Sequence, residues 1–191
     1  MTAAGLIFIV VLLVLLIYSV FTYNRFVELK HAVGKAWSNI DVLLKQRHDE
    51  LPKLVETCRQ YMKFEQETLE KVMQARTGVA QARERQDIAA LGAAESMLRS
   101  GLGNLFAVAE AYPELKTNET FLHLQSRITG LENAIADRRE FYNEAVNLNN
   151  VAIEQFPDVM IAQLTGFKPF RLLKFSSAET SDVNIAGLFK A

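Results

Sequence analysis

The feature that most limits the fold of this chain is a long uncharged segment at its N-terminus. Residues 1–24 contain no Asp, Glu, Lys or Arg, and residues 3–21, AAGLIFIVVLLVLLIYSVF, are almost entirely apolar. At about 1.5 Å per residue, a helix of this length spans close to the roughly 30 Å core of a bilayer. Tyr18, Phe21 and Tyr23 lie at its C-terminal end, where aromatic rings favour the headgroup region. The sequence therefore predicts a transmembrane anchor that contacts the lipid bilayer through residues 3–21.

Two other interpretations of this segment are a cleaved signal peptide and a buried core helix. A signal peptide normally begins with basic residues and ends at a cleavage site of small residues. Here the chain begins with MTAAG, and the segment ends in YSVFTYNR. Because neither end fits the signal-peptide pattern, we favour a retained anchor.

The charges that flank the anchor predict its orientation. No Lys or Arg precedes the segment, whereas Arg25, Lys30 and Lys35 follow it closely. Basic residues next to a membrane span are retained on the cytoplasmic side. We therefore expect a single-pass protein whose N-terminus lies outside and whose remaining residues lie in the cytoplasm.

The rest of the chain is highly charged but nearly balanced. All 21 basic and 22 acidic side chains lie from Arg25 onward, and the net charge is −1. A nucleic-acid-binding domain usually shows a basic excess, so no nucleic-acid partner is expected. The one cysteine, Cys58, cannot form an intrachain disulfide. We interpret it as a small buried hydrophobe rather than a reactive thiol.

From Phe26 onward, apolar residues recur at alternating steps of four and three, as on the contact face of a coiled coil. We call this face of a helix its seam. Lys30 and Arg47 are polar members of the seam, and each is expected to keep its charged head in water. No helix-stop signal follows the anchor, so the anchor is expected to continue into this helix. The seam positions of the first long helix are Phe26, Lys30, Val33, Trp37, Ile40, Leu44, Arg47, Leu51, Leu54, Cys58 and Tyr61.

Pro52 lies inside this predicted helix. A proline removes the hydrogen bond to the carbonyl four residues earlier, here that of His48, and costs about 3 kcal/mol in a helix interior. Either the helix is continuous and bends, or Asp49 caps a new helix that has Pro52 in its first turn. The seam keeps its phase across Pro52, so we favour the continuous helix, with water bound to the freed carbonyl.

A second helix is predicted over residues 66–111. After the sequence RERQD its seam resumes out of register, so we expect a stutter near residues 83–88. The seam positions are Leu69, Val72, Arg76 and Val79 before the stutter, and Leu91, Glu95, Leu98, Leu102, Leu105, Ala109 and Tyr112 after it. Gly92, Gly101 and Gly103 weaken this helix, and we expect them to permit the close approach of a neighbouring helix.

A third helix is predicted over residues 119–155, capped by Asn118 or Thr117. Its seam positions are Phe121, Leu124, Ile128, Leu131, Ile135, Arg138, Tyr142, Ala145, Asn149 and Ile153. The sequence FPD ends it, and Asp158 is expected to be the N-cap of a short helix that runs to residue 165. Three long helices joined by short turns must alternate in direction and bury their seams together.

The expected fold is therefore all-α, with an N-terminal transmembrane helix that continues into an antiparallel bundle of three long helices plus a short fourth helix. The predicted domains are an anchor at 1–23, a bundle at 24–167 and a C-terminal tail at 168–191. The stretch FKPFRLLKF, residues 167–175, alternates basic and apolar residues. It could pack back on the bundle or lie at the headgroup boundary of a membrane, and we favour packing.

A search for chemistry finds little. Glu28 and His31 match one Glu-x-x-His unit of a di-iron bundle, but such a site needs two units and further carboxylates. The sequence has no Cys/His set for zinc, no glycine-rich phosphate loop and no Gly-x-Ser-x-Gly elbow. We therefore expect no catalytic residues, no cofactor and no metal, and interpret the chain as a non-enzymatic protein.

Several long stretches resemble the LemA family, over about residues 20–170. They are YNRFVELKHAVGKAWSNIDVLLKQRHDELPKLVETCRQY, FAVAEAYPELKTNETFLHLQ, LENAIADRREFYNEAVNLNNVAIEQFP and GFKPF. The resemblance implies a bacterial membrane protein with one N-terminal span, an N-terminus outside the cytoplasm and an antiparallel helical bundle. The tail after Phe170 departs from the pattern. The positions that match the family's recurrent residues, without an implied role, are Trp37, Asp41, Arg47, His48, Pro52, Tyr112, Pro113, Asn118, Tyr142, Asn143, Phe156 and Pro157.

Two functional hypotheses follow. The first is a scaffold in the bacterial cytoplasmic membrane that self-associates as a homo-oligomer and binds a protein partner that the sequence does not identify. The second is a membrane-shaping or envelope-stress protein that acts through lipid contact of its C-terminal tail.

Overall fold

The structure, a computed structural model, describes residues 3–174, and within that range it contains six α-helices and no β-strand. The all-α prediction is confirmed, as is the continuation of the apolar segment into the first long helix. The helices are α1 (Ala3–Tyr61), α2 (Gln66–Glu84), α3 (Ile88–Ala109), α4 (Pro113–Lys116), α5 (Glu119–Glu154) and α6 (Asp158–Thr165).

The chain divides into two compact units, and α1 and α5 contribute to both. Unit 1 contains residues 3–42 together with Ile135–Leu172. Unit 2 contains Leu43–Ala134 together with Leu173 and Lys174. The predicted division into anchor, bundle and tail at 1–23, 24–167 and 168–191 stays a prediction.

Unit 1 packs the first part of α1 against the end of α5 and against α6. Its core is formed by Phe26, Ala152, Ile153 and Ala162, with Phe167 packed against them. Farther along, the ring of Trp37 meets that of Tyr142 at 5.9 Å. Residue numbers rise along α1 as they fall along α5, so the two helices are antiparallel in this unit.

The apolar start of α1 is the one candidate for a membrane span among the described residues. The segment is long and apolar enough to cross a bilayer, and none of it is buried among residues 3–174. A core helix of a water-soluble protein would be covered by its neighbours. The exposed segment instead leaves its apolar surface for another environment, such as lipid.

Unit 2 contains α2 and α3, and here the prediction of one helix with a stutter was wrong. Helix α2 ends at Glu84 and α3 begins at Ile88. Between them Gln86 adopts a positive φ of 52°. The carboxylate of Asp87 accepts hydrogen bonds from the amides of Ala89 and Ala90, at 3.1 Å each. An aspartate in this position caps a new helix, so the change of register marks a break.

The predicted seams correspond closely to the buried faces. On α1 the exceptions are Lys30, which is exposed, and Trp37 and Tyr61, which are half-buried. On α5 the exceptions are Arg138 and Ala145. The seam residues that are buried on these two helices are Phe26, Val33, Ile40, Leu44, Arg47, Leu51, Leu54, Cys58, Phe121, Leu124, Ile128, Leu131, Ile135, Tyr142, Asn149 and Ile153.

The described part of the tail packs on the protein. Asn150 donates to the carbonyl of Phe170 and accepts from its amide, both at 2.9 Å. The hydroxyl of Tyr142 donates to the carbonyl of Arg171 at 3.0 Å, and Leu173 is buried. Packing is therefore observed up to Lys174, and the remainder of the predicted tail lies outside the described residues.

The three glycines of α3 have different surroundings, which corrects the expectation that all three admit a helix. A Cβ on Gly92 would collide with the backbone of Lys174, which is not helical. A Cβ on Gly101 would meet Val72 of α2 at 3.5 Å, an ordinary contact, and one on Gly103 would have no atom within 4 Å.

Gly92→Ala is therefore expected to destabilise the protein, although alanine favours a helix by about 1 kcal/mol. The new methyl group would displace Lys174 and expose Leu173, at a cost of about 1.5–3 kcal/mol. Gly103→Ala is the matched control, and it should stabilise the protein by about 0.5–1 kcal/mol. Urea unfolding of both variants measures the difference. Equal stabilisation by the two substitutions would contradict this assignment of Gly92.

Candidate functional site

The most unusual feature of unit 2 is a buried charge network on α1, α3 and α5. The side chain of Arg47 is only 1% exposed, and its guanidinium pairs with Glu95 on α3 and Glu132 on α5. Arg99 completes the network by pairing with Glu132 at 3.3 Å. The expectation that Arg47 keeps its head in water was wrong, because two carboxylates reach it inside the unit.

The network balances two guanidinium groups against two carboxylates. Burial lowers the pKa of Arg47, but the adjacent Glu95 and Glu132 outweigh it and raise this pKa above its ordinary value. Burial raises the pKa of Glu95, and Arg47 opposes that shift. Since each buried charge has a partner, the arrangement holds three helices together. Within the described residues, Nε of Arg47 is buried without a hydrogen-bond partner.

A second arginine explains how α1 tolerates Pro52. The helix runs through Pro52 without interruption, so the continuous-helix interpretation is confirmed. Nε of Arg76 donates to the freed carbonyl of His48 at 2.9 Å. Nη2 of Arg76 also lies 2.6 Å from Nε2 of the His48 ring. The expected water on this carbonyl is thus replaced by a side chain of α2.

The contact with Arg76 affects the protonation of His48. Burial, followed by repulsion from Arg76, lowers the pKa of His48 below its ordinary value of 6.5. An Nε2 that faces a guanidinium must act as the acceptor, so the proton of the neutral ring lies on Nδ1. The family-matching residues His48 and Pro52 therefore form one local structure with Arg76. Arg76 was predicted only as a seam position, with no partner named for its side chain.

The lowered pKa of His48 predicts that the stability of the protein depends on pH. Below pH 6.5 the unfolded chain takes up a proton at His48 more readily than the folded chain, so stability falls as the pH falls through this range. Lowering the pH from about 7.5 to about 5.5 should lower the melting temperature less in His48→Gln than in the wild type. Glutamine can still accept from Arg76.

The control for the pH experiment is His123→Gln, since His123 is exposed in the same unit. It should keep the wild-type dependence on pH. The melting temperatures of the wild type, His48→Gln and His123→Gln would be measured by circular dichroism on the full-length proteins in detergent. An identical pH dependence in His48→Gln and the wild type would refute the role assigned to His48.

Three family-matching residues of unit 2 lie at helix ends. Asn118 accepts from the amide of Phe121 at 2.9 Å, which confirms it as the cap of α5, and donates to the hydroxyl of Tyr61 at 2.9 Å. Tyr112 is the N-cap residue of α4, and Pro113 follows at the first helical position. These residues fix the turn between α3 and α5 rather than a ligand.

The remaining family-matching residues lie in unit 1. The structure brings Trp37 and Tyr142 together through their rings, whereas Asp41 and Asn143 are half-buried on α1 and α5. Phe156 and Pro157, joined by a cis peptide bond, are both exposed between α5 and α6.

Asp158 has a different place from the one expected. It is the first residue of α6 and makes no side-chain cap there. Its carboxylate instead accepts from the hydroxyl of Tyr18, lies 3.5 Å from Thr22 Oγ1 and pairs with Arg25 at 3.5 Å. The local sequence around Asp158 does not reveal this link, because the partners lie about 140 residues away in the chain.

The residues considered for catalysis or metal binding do not form a site among the described residues. Cys58 is fully buried, and burial raises its pKa to about 12, so its reactive thiolate is suppressed. Glu28 and His31 are both exposed on α1. Among residues 3–174 no three His, Cys, Asp or Glu side chains are grouped so that they could hold a metal ion.

Sequence comparison finds relatives of this chain among known proteins. Magnetosome proteins MamQ 1 and MamQ 2 of Paramagnetospirillum magneticum are each 26% identical over 171 residues, which cover 76% of this chain. The chain spans 62% of the length of these two relatives. MamQ of Magnetospirillum gryphiswaldense is 35% identical over 79 residues, which cover 41% of this chain and 29% of that protein. Residues 36–186 match the LemA family, and the chain therefore belongs to this family.

Proposed function

We propose that this chain is a membrane-anchored, non-enzymatic scaffold that associates with further copies of itself. The observation that carries the proposal is an apolar strip on the outer side of α5, formed by Phe141, Leu148 and Val151. Phe141 and Leu148 are seven residues apart and so lie on the same side of the helix. The buried side of α5 faces elsewhere, through Tyr142 and Asn149.

The surroundings of the strip favour a second copy of the chain as its partner. Exposed charges of both signs, Asp137, Arg138 and Glu144, flank the apolar side chains, and Arg138 lies over the ring of Phe141 at 5.6 Å. An apolar row between charges of both signs is suited to pair with its own copy about a two-fold axis.

The test is the mass of the full-length protein in mild detergent, measured by light scattering over a range of concentrations. The wild type should be an oligomer, and Leu148→Glu should shift it toward the monomer. Phe64→Glu is the matched control, since Phe64 is 93% exposed in the turn after α1, and it should leave the mass unchanged. A wild-type protein that is a monomer at every concentration would refute the proposal.

The proposed location is the bacterial cytoplasmic membrane, with the N-terminus outside and the helices in the cytoplasm. Lys30 and Lys35 are exposed after the apolar segment, as is Arg25 beside Asp158, which supports the charge-based orientation. Spheroplasts that produce Asn39→Cys would be treated with a membrane-impermeant maleimide. Because Cys58 is buried, it adds little background. We expect labelling of residue 39 only after lysis. Labelling before lysis would show that the helices after the anchor lie outside the cytoplasm and would refute the proposed orientation.

The second candidate, membrane shaping through the tail at 168–191, has less support. Phe170 and Leu173 of this segment contact the protein itself, so membrane shaping by the tail would depend on the residues after 174. Vesicles that carry the full chain would be compared with vesicles that carry a chain truncated after Lys174. Equal vesicle shapes in electron cryomicroscopy would exclude this candidate.

A further inference from the structure

The position of α6 relative to the apolar segment follows from one carboxylate. Asp158, the first residue of α6, accepts from Tyr18 and Thr22 and pairs with Arg25. Tyr18 lies within the uncharged run of residues 1–24, and Arg25 is the first charge after it. The start of α6 is therefore held at the level where the apolar segment ends.

The other end of α6 is also held against α1. The helix ends at Thr165 and is capped by Gly166, whose φ of 75° suits glycine. The next residue, Phe167, places its ring 5.8 Å from that of Tyr23 and 5.2 Å from that of Phe26. Because both ends are fixed, the whole of α6 lies beside the last turns of the apolar segment.

The outer surface of α6 is apolar and uncovered. Phe156 is 82% exposed, Met160 is 59% exposed and Leu164 is 86% exposed. Met160 and Leu164 are four residues apart, which places them on one side of α6, and Phe156 lies in the turn that precedes the helix. Within residues 156–165 the only charge is that of Asp158, and it is turned toward α1.

We propose that Phe156, Met160 and Leu164 form an interfacial contact of the protein with a phospholipid bilayer, beside the anchor. Tyr18 and Phe21 are exposed at the C-terminal end of the apolar segment of α1. The exposed residues of α6 lie beside them and enlarge the apolar surface at that end. Such a short amphipathic helix suits the boundary between headgroups and acyl chains. The exposed basic residues Lys168 and Arg171 follow directly and suit anionic headgroups.

The inference rests on the proposal that α1 crosses the bilayer, and the experiment separates the two. Full-length Leu164→Cys and Met160→Cys would be labelled with an environment-sensitive fluorophore and placed in vesicles of phosphatidylethanolamine and phosphatidylglycerol that contain a spin-labelled quencher lipid. Leu12→Cys reports on the anchor itself. Asn39→Cys is the control, since it lies about 27 Å along α1 beyond residue 21. The buried Cys58 stays unlabelled in the folded protein.

Strong quenching at residues 12, 160 and 164, with little at residue 39, is the expected result. Quenching at residue 12 without quenching at 160 and 164 would overturn the α6 contact and leave the anchor intact. An unquenched residue 12 would overturn the anchor and, with it, this inference. Quenching at residue 39 as strong as at 164 would also overturn it, because the lipid contact would then not be specific to α6.

Discussion

Arg47→Met is expected to lower the free energy of unfolding by about 3–5 kcal/mol, because it removes one partner from a buried ion pair. Glu95 would remain 3% exposed with its main counter-charge gone. The control is Arg127→Met in the same unit. Arg127 pairs with Glu50 at 3.1 Å but is half exposed, so its loss should cost at most about 1 kcal/mol.

A paired substitution distinguishes lost charge balance from lost packing. Arg47→Met together with Glu95→Met removes both buried charges, while Arg99 still neutralises Glu132. Replacement of a whole buried pair by apolar residues is often close to neutral, so the double variant should recover most of the lost stability. Urea unfolding of the full-length protein in detergent measures the set. A double variant as unstable as Arg47→Met alone would contradict the account of the network.

Arg76→Met is expected to lower the free energy of unfolding by about 1–3 kcal/mol, because it leaves the His48 carbonyl without its donor. The loss should depend on Pro52. In a Pro52→Ala background, the amide of residue 52 can donate to that carbonyl and restore the helical hydrogen bond. Arg76→Met should then cost less, with a coupling between the two sites of about 1–2 kcal/mol.

Arg59 provides the control for this double-mutant cycle. It lies on α1, is half exposed and pairs with Glu56 at 3.3 Å, with no contact to the His48 carbonyl. Arg59→Met should show no coupling to Pro52→Ala. If Arg76→Met costs the same with proline and with alanine at residue 52, Arg76 does not serve as the cap of the freed carbonyl.

The sequence was sufficient for features that depend on local pattern. The uncharged run predicted the exposed apolar start of α1, since a long stretch of apolar residues is typical of a segment that contacts lipid. The spacing of apolar residues predicted the buried faces of α1 and α5, because a helix that packs on one side must repeat close to every 3.6 residues. Asn118 was a correct cap because capping depends on neighbouring residues.

The features that sequence could not predict depend on residues distant in the chain. The local sequence predicts that the charged group of Arg47 is solvated. Its partners Glu95 and Glu132 lie on other helices, so only the fold shows that Arg47 is buried and paired. Asp158 was predicted to be a helix cap because that prediction uses only neighbouring residues. Its observed partners are Tyr18, Thr22 and Arg25, which are distant in the chain. A charged residue at a seam position among apolar neighbours was the one available signal, and Arg47 and Glu95 both carry it.

Self-association in the membrane is the central claim, and disulfide crosslinking between copies tests it most directly. Full-length Leu148→Cys would be oxidised in native membranes, with Asn39→Cys as a control on an exposed part of α1. Cys58 is buried and does not compete. The account predicts a disulfide-linked dimer for Leu148→Cys and little or none for Asn39→Cys. Absence of the dimer at residue 148, or equal yields at the two positions, would contradict it.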